Sequence, residues 1–175
     1  MILSLLQKRR SIRRFQTRSV EREKIDVLIE ALLRSPSSKG RNPWEFVVAT
    51  DPHVLAGLAA AKPRGGDFLK NAPLAIVICA DPEKCDVWIE DCSIAAIIAQ
   101  LAAEDLGLGS CWSQIRLRQH VGGGPASDYL GNLLGLPEGY QVEAVIGIGY
   151  PAEDKSPHPK SSLPYDKIHS DCFGK

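Results

Sequence analysis

The sequence predicts an α+β fold in a single domain, with helices packed on a central sheet. Apolar residues recur at helical spacing at positions 25, 28, 29, 32 and 33, which is typical of an amphipathic helix. Residues 74–80 are apolar throughout, as in a strand buried on both faces. Residues 87–106 form a long helical segment with an apolar centre, ended by Gly107. At 175 residues the chain is long enough for one well-buried core.

The other elements follow from the same patterns. In chain order they are a helix at 2–8, a strand at 44–50, a helix from 52 to about 61, a loop at 62–71, a strand at 110–117, a helix at 126–134 and a strand at 142–150. Ser19 is the expected N-cap of the helix after it, and Pro36 should end that helix. Asp51 and Asp81, each followed by proline, predict further helix starts.

Composition narrows the class of protein. The chain has 21 basic and 21 acidic residues and 44% hydrophobic residues, which is typical of a globular protein. No apolar run reaches the roughly 18 residues of a membrane span, and we expect a cytoplasmic protein. The five cysteines form no CxxC pair and the four histidines are scattered, so we expect reduced thiols and no metal site.

Positive charge is concentrated near the N-terminus. Six basic residues fall between Lys8 and Arg18, with no acidic residue before Glu21. This leaves 15 basic against 21 acidic residues elsewhere, so the segment predicts an anion site. A solvated basic face is one alternative. A nucleic-acid-binding arm is another, although a pI of about 6.9 favours a compact phosphate site.

A second polar segment lies at 36–44, with the sequence PSSKGRNPW. Two prolines constrain a loop that offers hydroxyl, amide and cationic groups, a set suited to a planar polar ligand. The alternative is an ordinary surface loop. The paired glycines at 107–109 and 147–149 lack the full dinucleotide-binding pattern and are interpreted as structural.

Residues 151–175 are rich in proline but also carry large apolar side chains. Such a tail has no core of its own and is expected to lie along another surface. The apolar centre of the helix at 87–106, with its small alanines, is expected to be buried on all sides, at the centre of the molecule or at a subunit interface.

Five segments in order resemble the nitroreductase family of FMN-dependent oxidoreductases. They are RRSIRRF at 9–15, PSSKGRNPWEF at 36–46, LGLGSCWSQIR at 106–116, VIGIGYP at 145–151 and LPYDKIH at 163–169. The resemblance covers nearly the whole chain. It implies one domain over 1–175, with three layers and a central mixed, mostly antiparallel sheet. It also implies that residues 151–175 extend onto the partner subunit of a homodimer, with FMN at the interface.

The resemblance also implies the cofactor contacts. Arg9, Arg10, Ser11 and Arg13 would hold the phosphate and ribityl end of FMN. Contacts from the second subunit would come from Pro36, Ser37, Ser38, Arg41 and Asn42. Gln114 and Ile115 would lie near the reactive edge of the ring, with a backbone N–H there bonding to flavin N5, and Lys160 and Ser162 would add late phosphate contacts. No metal is implied.

The implied activity is hydride transfer from NAD(P)H through flavin N5 to nitroaromatic, quinone or similar acceptors, by a ping-pong mechanism without a catalytic side chain. Alternatives are an FMN-dependent dehydrogenase or reductive dehalogenase of the same fold. A module that binds a phosphate ligand or nucleic acid is the non-enzymatic alternative. The chain departs from the family at Gly40, which replaces a common asparagine, and at Ser162, which replaces an arginine. The loop at 62–71 is also short, which predicts a reduced lid.

Overall fold

The computed structural model describes residues 1–175 and confirms the α+β class. The helices are α1 (Ile2–Lys8), α2 (Arg22–Leu33), α3 (Pro52–Ala60), α4 (Trp88–Asp105) and α5 (Ala126–Leu134). The strands are β1 (Trp44–Ala49), β2 (Leu74–Ala80), β3 (Gly109–Gln114) and β4 (Gln141–Gly149). Short 3-10 turns lie at Ser38–Gly40, Asp67–Asn71, Lys160–Ser162 and Tyr165–Lys167.

The four strands form one sheet in the order β1-β2-β4-β3. All three strand pairs are antiparallel, and the parallel component is a single bridge between Ser11 and Ser110 at the outer edge of β3. Alternate residues of β2 and β4 face opposite sides of the sheet, which separates two cores. One core packs against α3 and α5 and the other against α2 and α4, so the molecule has three layers.

Local signals located some element ends correctly and missed others. Asp51 caps α3 as predicted, since its carboxylate accepts hydrogen bonds from the amides of His53 (2.7 Å) and Val54 (3.3 Å). Ser19 does not cap α2, because Glu21 occupies the N-cap position with extended backbone. Asp81 accepts from the amide of Glu83 in a separate turn, well before the start of α4.

Two further segments differ from prediction. The strand expected to reach residue 117 ends at Gln114, and Leu117 has a positive φ of 58°. The loop at 62–71 contains a 3-10 turn that buries Phe68 and Leu69 in the first core. Gly147 of β4 has no side chain at the place where these two residues pack, and a Cβ there would lie 2.7 Å from the Phe68 ring. The interpretation of this glycine as structural is therefore confirmed.

In the single chain helix α4 is buried on one side only, so burial of its other side at a subunit interface stays a prediction. Ile94 and Ile97 are 39% and 36% exposed, although the opposite face of the helix is fully packed on the sheet. The tail is exposed as well, since every residue of 157–175 faces solvent in the single chain. Among these, Leu163, Tyr165, Ile168 and Phe173 are between 46% and 90% exposed. No helix combines the length and the apolar character needed to cross a membrane.

Candidate functional site

The basic segment is held along the outer edge of the sheet. Ser11 bridges Ser110 of β3, and the Ile12 amide donates to the Ser110 carbonyl at 3.0 Å. This close approach requires Gly109, because a Cβ at that position would lie 2.8 Å from the Ile12 side chain. The segment therefore presents its arginines beside the exposed edge of β3.

Four of the predicted residues line one polar cavity of about 290 Å³, the arginine cavity. The lining contains no acidic and no apolar residue, and it consists of Arg9, Arg10, Ser11, Arg13, Lys155 and His158. None of the three arginines forms an ion pair with a carboxylate. Arg10 donates to the Ser156 carbonyl, so it too is free of a carboxylate. Guanidinium groups without carboxylate partners, gathered in one cavity with a hydroxyl and further donors, match the requirements of a phosphate group.

Glu153 holds the backbone beside this cavity. Its carboxylate accepts from the backbone amides of Arg13 (2.6 Å) and Arg14 (3.1 Å) and lies 3.2 Å from Lys155 Nζ. The hydrogen bond from the Arg13 amide is the main reason why the pKa of Glu153 falls below its ordinary value. Lys155 Nζ also donates to the Ser11 carbonyl at 2.6 Å. The acid therefore binds backbone, which leaves the Arg13 guanidinium free.

The end of β3 carries a backbone donor that faces outward. The Ile115 amide donates to the Glu143 carbonyl at 3.1 Å, so this N–H is already paired within the sheet. Because the hydrogen-bonding direction alternates along an antiparallel strand, the preceding amide, that of Gln114, faces the open edge. Of the two predicted residues, Gln114 is therefore the one whose N–H is open to a ligand, whereas Ile115 is fully buried.

Lys62 extends the positive charge to this end of β3. Its Nζ donates to the Gln114 carbonyl at 2.9 Å. Burial lowers the pKa of Lys62, and the charge of Arg118 acts in the same direction. Lys62 was not among the predicted site residues, because its loop shows no motif and only the fold brings it to β3.

The Cys111 thiol, in β3, is influenced by cations from both the arginine cavity and the Lys62 side. Burial raises its pKa, while the charge of Arg13, a hydrogen bond with Ser11 and the charges of Lys155 and Lys62 act in the opposite direction. Arg13 and Lys155 line the arginine cavity, and Lys62 lies at the Gln114 end of β3. Together they form a strip of positive charge along the strand edge, with the arginine cavity at one end and Gln114 at the other.

The loop at 36–42 has a well-defined shape. The Ser37 hydroxyl donates to Asn42 Oδ1 (2.7 Å) and accepts from the Asn42 amide (2.9 Å). Positive φ angles of 54° at Lys39 and 47° at Asn42 turn the chain sharply. Gly40 also has a positive φ, 65°, so the glycine that replaces the asparagine common in the family suits this turn.

The loop and the arginine cavity lie at opposite ends of α4. The Ser38 amide donates to Asp91 in the first turn of the helix, whereas Arg10 shares a cavity with Glu104 in its last turn. At 1.5 Å per residue these ends are about 20 Å apart. Pro36, Arg41 and Asn42 are exposed on the same loop. One chain therefore does not bring its two predicted groups together.

The predicted late contacts, Lys160 and Ser162, do not line the arginine cavity. Lys160 lines a separate cavity of about 590 Å³ beside α1, with Leu3, Leu6 and Leu163. The Ser162 hydroxyl donates to the Pro159 carbonyl at 2.8 Å. In their place the tail supplies Lys155 and His158, which the resemblance did not identify. In the sequence they are visible only as a lysine and a histidine within the proline-rich segment.

Glu143 is a buried carboxyl group behind Gln114. It is 4% exposed, its Oε1 lies 3.5 Å from Gln114 Nε2, and its Oε2 has no partner. Burial raises its pKa above the ordinary value of 4.5 and nearby Glu90 adds to this, while the Gln114 hydrogen bond and the charge of Arg116 oppose it. Above about pH 4.5 the Glu143 carboxyl group is ionised in the unfolded chain, whereas burial keeps it protonated to a higher pH in the folded chain.

Wild-type stability should therefore fall as pH rises from about 4.5 through the folded pKa of this group. Glu143→Gln is always neutral, so its free energy of unfolding relative to wild type should increase between pH 5 and pH 8, as measured by urea unfolding. Glu138→Gln, at an exposed position without hydrogen bonds, serves as the control and should track wild type. Parallel curves for Glu143→Gln and wild type would rule out this contribution.

The chain folds as an α+β domain with an elongated candidate site of positive charge along a sheet edge. The chain matches the nitroreductase family over residues 6–65 and 55–150. A solved structure of an FMN-dependent nitroreductase from Clostridium difficile R20291 is 49% identical and superimposes with a TM-score of 0.94, covering 98% of this chain and 99% of that one.

Two curated relatives are provisionally named NADH dehydrogenase/NAD(P)H nitroreductase. The protein from Archaeoglobus fulgidus is 36% identical over 157 residues, 87% of each chain. That from Methanothermobacter thermautotrophicus is 35% identical over 172 residues, 96% of this chain and 85% of the relative. This chain belongs to the nitroreductase family. The predicted family, its oxidoreductase class and the fold are thereby confirmed.

Proposed function

We propose that this protein is an FMN-dependent NAD(P)H oxidoreductase that acts as a homodimer. The observation that carries the proposal is the cavity of arginines without carboxylate partners, continued by Lys62 and Gln114 along the β3 edge, in a member of this family. The donor set fits FMN, because a phosphate suits one end and a polar ring edge suits the other. When bound, FMN supplies hydride acceptance and donation at N5.

The chain's own residues bind and orient the cofactor. Arg9, Arg10, Ser11 and Arg13, with Lys155, would hold the phosphate. The outward N–H of Gln114 would fix the ring edge, and the Lys62 ammonium would stabilise negative charge that develops near it. No side chain is required as a nucleophile, so the protein acts by position and electrostatics.

A second subunit would complete the site. The loop at 36–42 lies at the far end of α4 from the arginine cavity of its own chain, so the proposed contacts of Ser37, Ser38 and Asn42, with Pro36 and Arg41 beside them, belong to the partner's cofactor. The exposed apolar side chains of α4 and of the tail support a dimer, since their burial on a partner would be favourable. Lys160 and Ser162 would join the site only through a rearranged or shared tail.

The proposed acceptors are nitroaromatics and quinones, reduced by ping-pong turnover. The relatives named nitroreductases support this class of acceptor. In such a cycle NAD(P)H and the acceptor react in turn at the same exposed face, so double-reciprocal plots at several acceptor concentrations should be parallel. Intersecting lines would contradict the proposed order.

Cofactor content provides the most direct test. Purified protein should be yellow and release FMN on denaturation, identified by mass, and stopped-flow mixing with NADH or NADPH should bleach the flavin absorbance. Colourless protein that cannot be reconstituted with FMN would overturn the proposal. If such protein also shifted an oligonucleotide with a steep dependence on salt, the basic segment would be a nucleic-acid site.

A further inference from the structure

Asp91 is a buried carboxylate remote from the arginine cavity. It lies in the first turn of α4 and is 3% exposed. Its Oδ1 accepts from the Ser38 amide at 2.9 Å, and its Oδ2 lies 3.5 Å from the Cys85 thiol, which is also buried. Both carboxylate oxygens are therefore used, one of them on the backbone of the loop at 36–42.

Stability alone does not explain a carboxylate at this position. A buried ionised group loses its hydration, and one amide with one thiol replaces that hydration poorly. The N-terminal end of α4 compensates in part, because the helix dipole favours negative charge in the first turn. An apolar residue of similar size would pack without this penalty. The carboxylate is better explained by what it holds.

No other hydrogen bond joins this loop to α4. Arg41 pairs with Asp86 at 3.3 Å, but the Asp86 side chain is 86% exposed, and such surface pairs contribute little. The Ser37–Asn42 hydrogen bonds close the loop upon itself without attaching it to a neighbour. The left-handed conformation is unfavourable for Lys39, although asparagine tolerates it at position 42, so the shape of the loop needs support from outside.

We infer that Asp91 is a positioning residue that docks the loop at 36–42 on the start of α4 and so fixes the shape in which this loop meets the cofactor of the partner subunit. The inference rests on the proposed function for its second half, the contact with the cofactor. Its first half, the docking of the loop, concerns the chain alone. The acceptor oxygen of Asp91, rather than its charge, is the feature required.

Substitutions at this position separate the two roles. Asp91→Ala removes the acceptor, and Asp91→Leu removes it while filling the space, which keeps the test valid if the alanine variant folds poorly. Asp91→Asn retains an acceptor oxygen without the charge. Glu90→Ala is the matched control, because it removes an exposed acid from the same helical turn without touching the loop.

The readouts are amide hydrogen exchange of residues 37–42 in flavin-free protein and the Kd of FMN by fluorescence titration. Asp91→Leu and Asp91→Ala should speed exchange at Ser38 by about 10-fold or more and weaken FMN binding by about 10-fold. Asp91→Asn should recover most of both properties, and Glu90→Ala should match wild type. Exchange data for the flavin-free protein test the docking even if wild type binds no FMN, an outcome that would contradict the proposed function only.

Three results would overturn the inference. Unchanged loop exchange in Asp91→Leu would show that the loop is held by other contacts. Equal losses in Asp91→Asn and Asp91→Leu would show that charge, not the acceptor, matters. Faster loop exchange with an unaltered FMN Kd would separate the loop from the cofactor and leave the rest of the proposed site intact.

Discussion

Arg13→Ala is expected to weaken FMN binding by about 10- to 100-fold while leaving the fold intact. The Arg13 guanidinium lines the arginine cavity without a carboxylate partner, so its removal deletes a charge-assisted contact of about 1.5 to 3 kcal/mol. The side chain is exposed and contributes nothing to either core. Fluorescence titration of stripped protein with FMN measures the effect, and thermal unfolding verifies the fold. Arg9→Ala should act in the same direction.

Arg14→Ala is the matched control for this prediction. Arg14 is the next residue, carries the same charge and is also exposed, but it does not line the arginine cavity. Its replacement should change the FMN Kd by less than about 3-fold, through long-range charge alone. Normal flavin content in both Arg9→Ala and Arg13→Ala would remove this cluster from the cofactor site.

Deletion of residues 157–175 is expected to dissociate the proposed homodimer and, with it, to lower flavin content. The deleted segment carries four large apolar side chains that are exposed in the single chain, each worth about 1.5 to 3 kcal/mol when buried on a partner. Loss of only two such contacts weakens a dimer about a hundredfold or more. Size-exclusion chromatography with light scattering over a range of protein concentrations measures the shift.

The cut after Ser156 removes His158 from the lining of the arginine cavity but keeps Glu153 and Lys155, which support the backbone of the basic segment. A cut after Tyr150 should also destabilise the dimer, but it would remove Glu153 and Lys155, which order the backbone of the basic segment. Replacing Asp166 and Lys167 by alanine in the full chain is the control, because these residues pair with each other at the surface. An unchanged dimer with bound flavin after the deletion would show that the tail is incidental.

Elements with strong local patterns were predicted well from sequence. The five-residue stripe of α2, the apolar run of β2 and the Asp51-Pro52 start of α3 all reappear in the structure. These signals depend on residues within one or two turns of each other, so no tertiary contact is needed to interpret them. Ser19 and Asp81 show the limit of such signals, since the chain bends elsewhere and neither residue caps its predicted helix.

Some residues of the candidate site can likewise be predicted from the sequence, and others cannot. Arg9, Arg10, Ser11 and Arg13 lie within five consecutive positions, so their clustered charge is visible in the sequence itself. Lys62 and Lys155 carry no motif and reach the site only because β3 is an edge strand with room beside it. Asp91 was missed because an acid early in a helix usually serves the helix dipole, and only the packed fold shows its contact with Ser38.

The sequence by itself determined the family, the α+β class and the segment that concentrates positive charge, because these depend on short-range patterns and on the order of motifs. The tertiary structure decided which cations share a cavity, which amide of β3 faces outward and which end of α4 receives the loop. Lys155 and Ser11 are 144 residues apart in the sequence, yet their contact helps to form the arginine cavity. Contacts at that range depend on how the sheet brings its edges and tail together, and no local pattern specifies them.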